Sequence, residues 1–316
     1  MELCADRWHP NADTVRRNER MVASGVNQRY ELHQDLPALD QPVLVVHLTG
    51  WIDASGAGAA ALAAIDAECA TKLLATFDGD AFIDYRARRP TMELRDGVNT
   101  KLVWDEIELR VGRDSKKKDV LTLIGPEPDT RWREFATVVT DLAGQLGVRQ
   151  MVALGAYPYA TPHTRPSRLS SSSPSAEVLA NLPYLKNSVD VPAGMSSVLE
   201  HALSDAGIAS LGMWVQVPHY VSAMSYPSAT LALLQGLQEV TGVSVSADET
   251  VHESEIQRHR IDKLVAANDE HVSMVSKLEA LYDEAGAQTM SLGDAQIPSG
   301  DDLAAEFERF LREQDK

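Results

Sequence analysis

Several stretches of this chain concentrate side chains able to bind or react. FDGDAFIDYRARRP (77–90) sets Asp78, Asp80 and Asp84 beside Tyr85, Arg86, Arg88 and Arg89. Three guanidinium forks next to a phenol suit a carboxylate or phosphate clamp. The competing reading is a loop whose own aspartates neutralise its arginines, in pairs that contribute little singly. WVQVPHYVSAMSYPSA (214–229) brings His219 and Tyr220 together, an imidazole and a phenol that titrate or hydrogen-bond a ligand, or else cap loop backbone groups. GAYPYATPHTRPSRLSSSSPS (155–175) adds Tyr157 and Arg165, then a serine run that reads equally as a polar edge strand or a lid. LTGWIDASGAGAAALAA (48–64) places Gly50, Trp51 and Asp53 between a strand and a helix, where open α/β folds bind ligands. VPAGMSS (191–197) puts Gly194 ahead of Ser196, a candidate helix N-cap.

None of these stretches names a reaction. Gly56, Gly58 and Ala61 spell G-x-G-x-x-A, with Asp78 where a ribose-binding acid would stand. A dinucleotide fingerprint, however, begins directly after its strand, whereas seven residues separate Leu48 from Gly56 and Asp53 or Ser55 serves as N-cap between them. A calcium loop begun at Asp78 would need glycine at its sixth position and glutamate at its twelfth, and the chain has Ile83 and Arg89 there. A serine nucleophile elbow needs glycine where Val198 stands, and His252-Glu253 is followed by Ile256 instead of the second zinc-binding histidine. Cys4 and Cys69 are too few for a disulfide framework or a thiolate zinc site. No catalytic residue, metal or cofactor is therefore expected.

The charge and apolar patterns describe what holds these stretches in place. Against 29 Lys and Arg stand 46 Asp and Glu, a net charge of −17, which repels nucleic acid and anionic membrane alike. No apolar leader opens the chain and no segment approaches the roughly 18 apolar residues of a membrane span, so a cytoplasmic location is expected. Val43–Leu48, Leu73–Phe77, Val120–Ile124, Met151–Ala156 and Leu211–Val217 read as strands buried on both faces. Helical spacing links Phe135, Val138, Val139, Leu142 and Leu146; Leu62, Ile65 and Cys69; and Leu233, Leu234, Leu237 and Val240. Strands alternating with helices predict an α/β layer domain with a mostly parallel sheet. Lys101–Arg110 and Asp119–Ile124 flank a polar GRDSKKK segment as an antiparallel hairpin, which makes the sheet mixed.

Three regions follow: an N-terminal segment 1–34, a sandwich domain 35–247 and a helical region 248–316. Ile261 to Tyr282 keep a near-heptad spacing that predicts one long helix. A linker at 286–300 precedes a last helix carrying Leu303, Phe307, Phe310 and Leu311, an apolar face that packs on the parent domain or on a partner.

Taken in order, TGWIDASGAGAAA, FDGDAFIDYRARRP, GAYPYATPHTRP, VPAGMSSVL and WVQVPHYVSAMSYPSA resemble the bacterial, chiefly actinobacterial, branch of the proteasome assembly chaperone family over residues 35–245. The resemblance implies a three-layer α/β/α sandwich like that of nucleoside phosphorylases, with a mixed, mostly parallel sheet and a helical C-terminal appendage. It also implies proteasome subunits as partners and self-association. Some eukaryotic and archaeal relatives end in a hydrophobic residue, a tyrosine and one further residue that dock between α subunits; this chain ends FLREQDK. The expectation is a non-enzymatic binding or assembly protein in which five loops, at Gly50–Asp53, Tyr85–Pro90, Tyr157–Arg165, Pro192–Gly194 and His219–Tyr220, surround one crevice. The alternative is a phosphorylase-like or hydrolase-like enzyme acting on a small anionic or nucleoside-type ligand. There an arginine of 86, 88 or 89 holds an anion and His219 or Asp53 handles a proton, inside a pocket of several hundred cubic ångströms.

Overall fold

The structure, a computed structural model, describes residues 29–289. The expected final helix at 303–311 and most of the N-terminal segment lie outside the described residues. The chain divides into two compact units, Met1–Lys263 and Leu264–Lys316. The first contains an eight-stranded sheet in the order β1-β3-β6-β7-β2-β8-β10-β9 and a separate two-stranded hairpin, β4-β5. The strands are β1 Tyr30–Leu32, β2 Val43–Thr49, β3 Lys72–Phe77, β4 Thr91–Arg95, β5 Val98–Val103, β6 Glu108–Arg113, β7 Asp119–Pro126, β8 Gln150–Tyr159, β9 Leu169–Ser172 and β10 Ala209–Pro218. The long helices are α1 Ala57–Glu68, α2 Trp132–Gln145, α3 Met195–Asp205, α4 Pro227–Thr241, α5 Asp248–Ala266 and α6 Asp269–Thr289.

Ladder directions make β2, β3, β7, β8 and β10 point one way, and β1, β6 and β9 the other. The central strands are apolar at nearly every position because helices cover both faces of the sheet. One face buries Leu44, Val46, Leu121, Leu123 and Met151 against Phe135 and Leu142 of α2 and Leu199 and Leu203 of α3. The other face carries α1 and α4, which pack on each other and on β8. The small residues of α1 (AGAAALAAIDAE) let it lie close between the sheet and α4, with Ala61, Leu62 and Ile65 fully buried. The expected α/β/α sandwich with a mixed, mostly parallel sheet is thus the observed architecture.

Local expectations change in three places, and the serine run takes one of the two readings open to it. Lys101–Val103 belongs to the β4-β5 hairpin and not to the strand that pairs with β7, because Asp96 and Gly97 (φ +50° and +81°) make the tight left-handed turn that folds β5 back on β4. The serine run is an edge strand, β9, antiparallel to β10. Gly194, not Ser196, is the N-cap of α3, and Ser196 stands inside its first turn. The near-heptad stretch is two helices, broken at Ala267-Asn268. There the Asn268 side chain accepts the Glu270 N–H at 2.8 Å and starts α6. That helix continues to Thr289, past residue 286.

Candidate functional site

The five co-directional strands deliver their carboxyl ends to one edge of the sheet, where the connections change sides. From β2 the chain leaves through α1 over one face towards β3, and from β8 it leaves towards β10 through α3 over the other. Between β2 and β8 lies the switch point, the place where open α/β sheets form ligand crevices. The ladder there covers only Val43–Val46 opposite Gln150–Ala153, after which the strands part until Asp53 bridges to Ala156. In this protein the gap is filled. Trp51 lies over Gly194, where an added Cβ would come within 3.1 Å of the indole, and the space left beneath Trp51 and Ile52 is about 20 Å³, lined also by His47, Glu127, Ser196 and Trp214.

Gly50, Trp51, Arg88 and Gly194 meet at this point. Gly50 has φ +127°, a conformation side-chain-bearing residues avoid, and an added Cβ would stand 2.9 Å from Glu127 Cγ and 3.0 Å from Arg88 Nη2. The Arg88 Nε–H donates to both Asp129 oxygens, at 3.1 and 3.2 Å, and Asp129 Oδ2 also accepts the Asp84 N–H at 2.9 Å. Glu127 Oε2 accepts the Met195 N–H at 3.0 Å. A carboxylate of the chain itself therefore occupies the first amide of α3, the position an incoming anion would favour.

The charged groups of the arginine loop pair with residues of other segments. Asp78 pairs with Arg29 at 3.2 Å, and Arg29 in turn reaches Glu134 at 2.6 Å, holding the Glu134 carboxyl below the usual range. Arg88 turns inward to Asp129, while Arg86 and Arg89 are exposed on the loop. Asp84 accepts the Arg86 N–H and shapes the turn, and Tyr85 packs edge-on against Trp104 with ring centres 4.6 Å apart. The loop's ion pairs also differ from the self-neutralising alternative, since their partners come from other segments.

Asp53 is a helix cap. Its two oxygens accept the Gly58 and Ala59 N–H groups at 2.8 and 3.0 Å, and Oδ2 stands 3.4 Å from Nε2 of buried His47. The His47 Nδ1–H donates to the Leu154 carbonyl at 3.1 Å, which ties β2 to β8 across the parted ladder. Nearby, the Ser55 N–H donates to the Ser222 carbonyl, so the loops after β2 and β10 are joined.

Tyr220 belongs to a relay for which the sequence offered no local signal. Its hydroxyl accepts the His163 backbone N–H at 2.8 Å and donates to His163 Nδ1 at 2.7 Å; the Nε2–H then donates to Asp262 Oδ1 at 3.0 Å. That assignment gives a partner to the backbone N–H and to both ring nitrogens of a histidine whose side chain is 1% exposed. The relay fastens α5 to the loop after β8, and His219 packs edge-on to Tyr220. Tyr157 lies elsewhere: its hydroxyl takes a 3.1 Å bond from Gln216 Nε2 and sits 3.4 Å from Ser170 Oγ, towards β9. Arg165 reaches Thr164 Oγ1 at 3.5 Å.

The geometry therefore gathers Gly50, Trp51, Arg88 and Gly194 with Glu127 and Asp129, sets Asp53 and His47 beside them, and forms a second cluster of Tyr220, His163 and Asp262. Among the described residues no cluster of His, Cys, Asp and Glu has the arrangement of a metal site, and no helix is long and apolar enough to cross a membrane.

This architecture, a mixed-sheet α/β/α sandwich, is shared with proteins of one family. The model of the PAC2 family matches residues 47–265, and the chain belongs to the PAC2 family. A Mycobacterium tuberculosis protein of unknown function is 34% identical, with 85% of this chain and 94% of that one covered and a TM-score of 0.76. A Corynebacterium glutamicum protein of unknown function is 33% identical over 81% and 97% of the two chains, with a TM-score of 0.75. A proteasome-assembly chaperone homologue from M. tuberculosis is 32% identical over 74% and 99%, with a TM-score of 0.69. The actinobacterial resemblance carried by the motifs is thereby established. A comparison with proteins of curated function gives no match.

Proposed function

We propose that this chain is a non-enzymatic assembly factor of the cytoplasm that binds a protein partner through its strand-end edge, with proteasome α subunits the first partner to test. Family membership supports an assembly role, and one relative is described as a homologue of proteasome-assembly chaperones. The observation that carries the reading is the closed switch point. Ligand pockets for drug-sized molecules enclose about 300–1,000 Å³, and the space under Trp51 is about 20 Å³. Trp51 and Ile52 instead present 45% and 40% of their surface at the edge. An exposed tryptophan beside an exposed isoleucine, ringed by polar groups, is the composition of an interface hot spot.

Titrating the purified chain into purified α subunits of its own organism, followed by calorimetry, tests the reading. Trp51→Ala, which leaves the sheet core untouched, is expected to weaken binding at least tenfold, as hot-spot truncations do. Equal affinity of the two proteins overturns the site. Retention of a purine or sugar phosphate by the native protein, seen by mass spectrometry, favours the enzyme instead.

A further inference from the structure

Tyr220, His163 and Asp262 come from three separate segments, the turn after β10, the loop after β8 and α5. The phenol donates to His163 Nδ1 at 2.7 Å, and the Nε2–H donates to Asp262 Oδ1 at 3.0 Å. This is the order of an activated nucleophile: a hydroxyl, a base within hydrogen-bond reach of it, and a carboxylate that fixes the tautomer of the base. Fastening α5 requires only the second bond. The short first bond aims the phenolic proton at the ring nitrogen that can take it.

The His163 backbone N–H points at the same Tyr220 oxygen at 2.8 Å, where it stabilises the negative charge that develops as the proton leaves. His219 and His163 stand edge-on to the Tyr220 ring, with centres 5.4 and 5.8 Å away and planes at 90° and 83°, so the ring's tilt is set from two sides. Access is graded along the relay. The His163 side chain is 1% exposed and Tyr220 is half-buried, so an incoming electrophile meets the phenol and not the imidazole.

We propose that Tyr220 is an acyl-accepting nucleophile, with His163 as its base and Asp262 as the residue that positions His163. As the Tyr220 oxygen bonds to the carbonyl carbon of an activated ester, its proton passes to His163 Nδ1. The ester C–O bond then breaks, the leaving alcohol takes that proton, and the acyl group stays on Tyr220. A net charge of −17 opposes the approach of polyanionic phosphoryl donors, so an uncharged ester is the class that fits. This reactivity goes beyond partner binding and is measured with no partner present.

Treating the full chain with p-nitrophenyl acetate at pH 8 and mapping the acetylated peptides by mass spectrometry tests it. Tyr220 is expected to be acetylated about a hundredfold faster than N-acetyltyrosinamide in the same buffer, the gain a positioned base gives. The Asp262 side chain is 48% exposed, so solvent screens its charge. Asp262→Asn is therefore expected to slow acetylation of Tyr220 about tenfold, less than the roughly ten-thousandfold loss at a buried triad aspartate. Were Asp262 only a fastener of α5, its loss would open the loop and speed the reaction. Acetylation of Tyr220 no faster than that of N-acetyltyrosinamide, or an unchanged or higher rate in Asp262→Asn, overturns the proposal.

Discussion

Replacing Glu200 with glutamine should stabilise the protein above neutral pH and leave it unchanged in mild acid. Glu200 lies on the sheet side of α3 at 4% exposure, opposite Gly212, where an added Cβ would stand 2.6 Å from its Oε1. Only the missing side chain of that glycine makes room for the carboxyl. Ser172 Oγ donates to Oε2 at 3.1 Å, and Oε1 has no hydrogen-bond partner among the described residues. Burial pushes the group up to about 7 from an ordinary 4.5, against the weaker opposing effect of the serine. Between those values the folded chain holds a proton that the unfolded chain releases, so stability falls as pH rises through this window. It is flat below about 4.5, where both states are protonated, and flat again above about 7, where both are charged. At about 1.4 kcal/mol per pH unit the charged form costs about 3 kcal/mol. Glutamine keeps the acceptor for Ser172 and never ionises. Urea unfolding of wild type and Glu200→Gln at pH 4.5, 6 and 8 should therefore give a stability gap near zero, then intermediate, then about 3 kcal/mol in favour of the variant. A gap independent of pH would show that Glu200 does not titrate in this window, and a less stable variant at pH 8 would show that its charge has a stabilising partner.

Two further outcomes follow from buried groups. Asp262→Ala strands the Nε2–H of buried His163 and should cost about 1–3 kcal/mol in chemical denaturation, whereas Asp262→Asn keeps an acceptor and should lose less. Burial, with Asp114, Glu68 and Asp66 adding to it, pushes the Cys69 thiol up to about 12, so iodoacetamide at pH 8 should leave the Cys69 peptide unmodified in the native protein and alkylate it in urea.

Much of the fold was legible because its central strands are buried on both faces. Runs such as Val43–Leu48 and Leu211–Val217 have no competing helical or amphipathic interpretation at that length. The edges were harder. Tyr30–Leu32 is a three-residue strand that exists only through its pairing with β3. Asp96-Gly97 is a local hairpin signal, but the apolar residues after it pointed equally to the neighbouring ladder. Asn268 interrupts α5 and α6 without disturbing the apolar spacing on either side, so periodicity ran through the break. Of the candidate site, the loop positions were readable since each follows a strand or opens a helix. Their partners were not: Arg88 meets Asp129 and His163 meets Asp262 across 41 and 99 residues of chain, and no spacing rule reaches so far. The arginine loop offered its own aspartates as the obvious counter-charges, yet Arg29 and Asp129 are the groups that the fold brings within reach.

Hydrogen–deuterium exchange of the chain, free and with bound proteasome α subunits, tests most directly whether the strand-end edge acts as one protein-binding surface. The account predicts that binding slows exchange together at 50–53, 86–90, 127–132 and 192–196. Protection at only one of these segments, or at the opposite edge around Gly147 and Gly207, would contradict it.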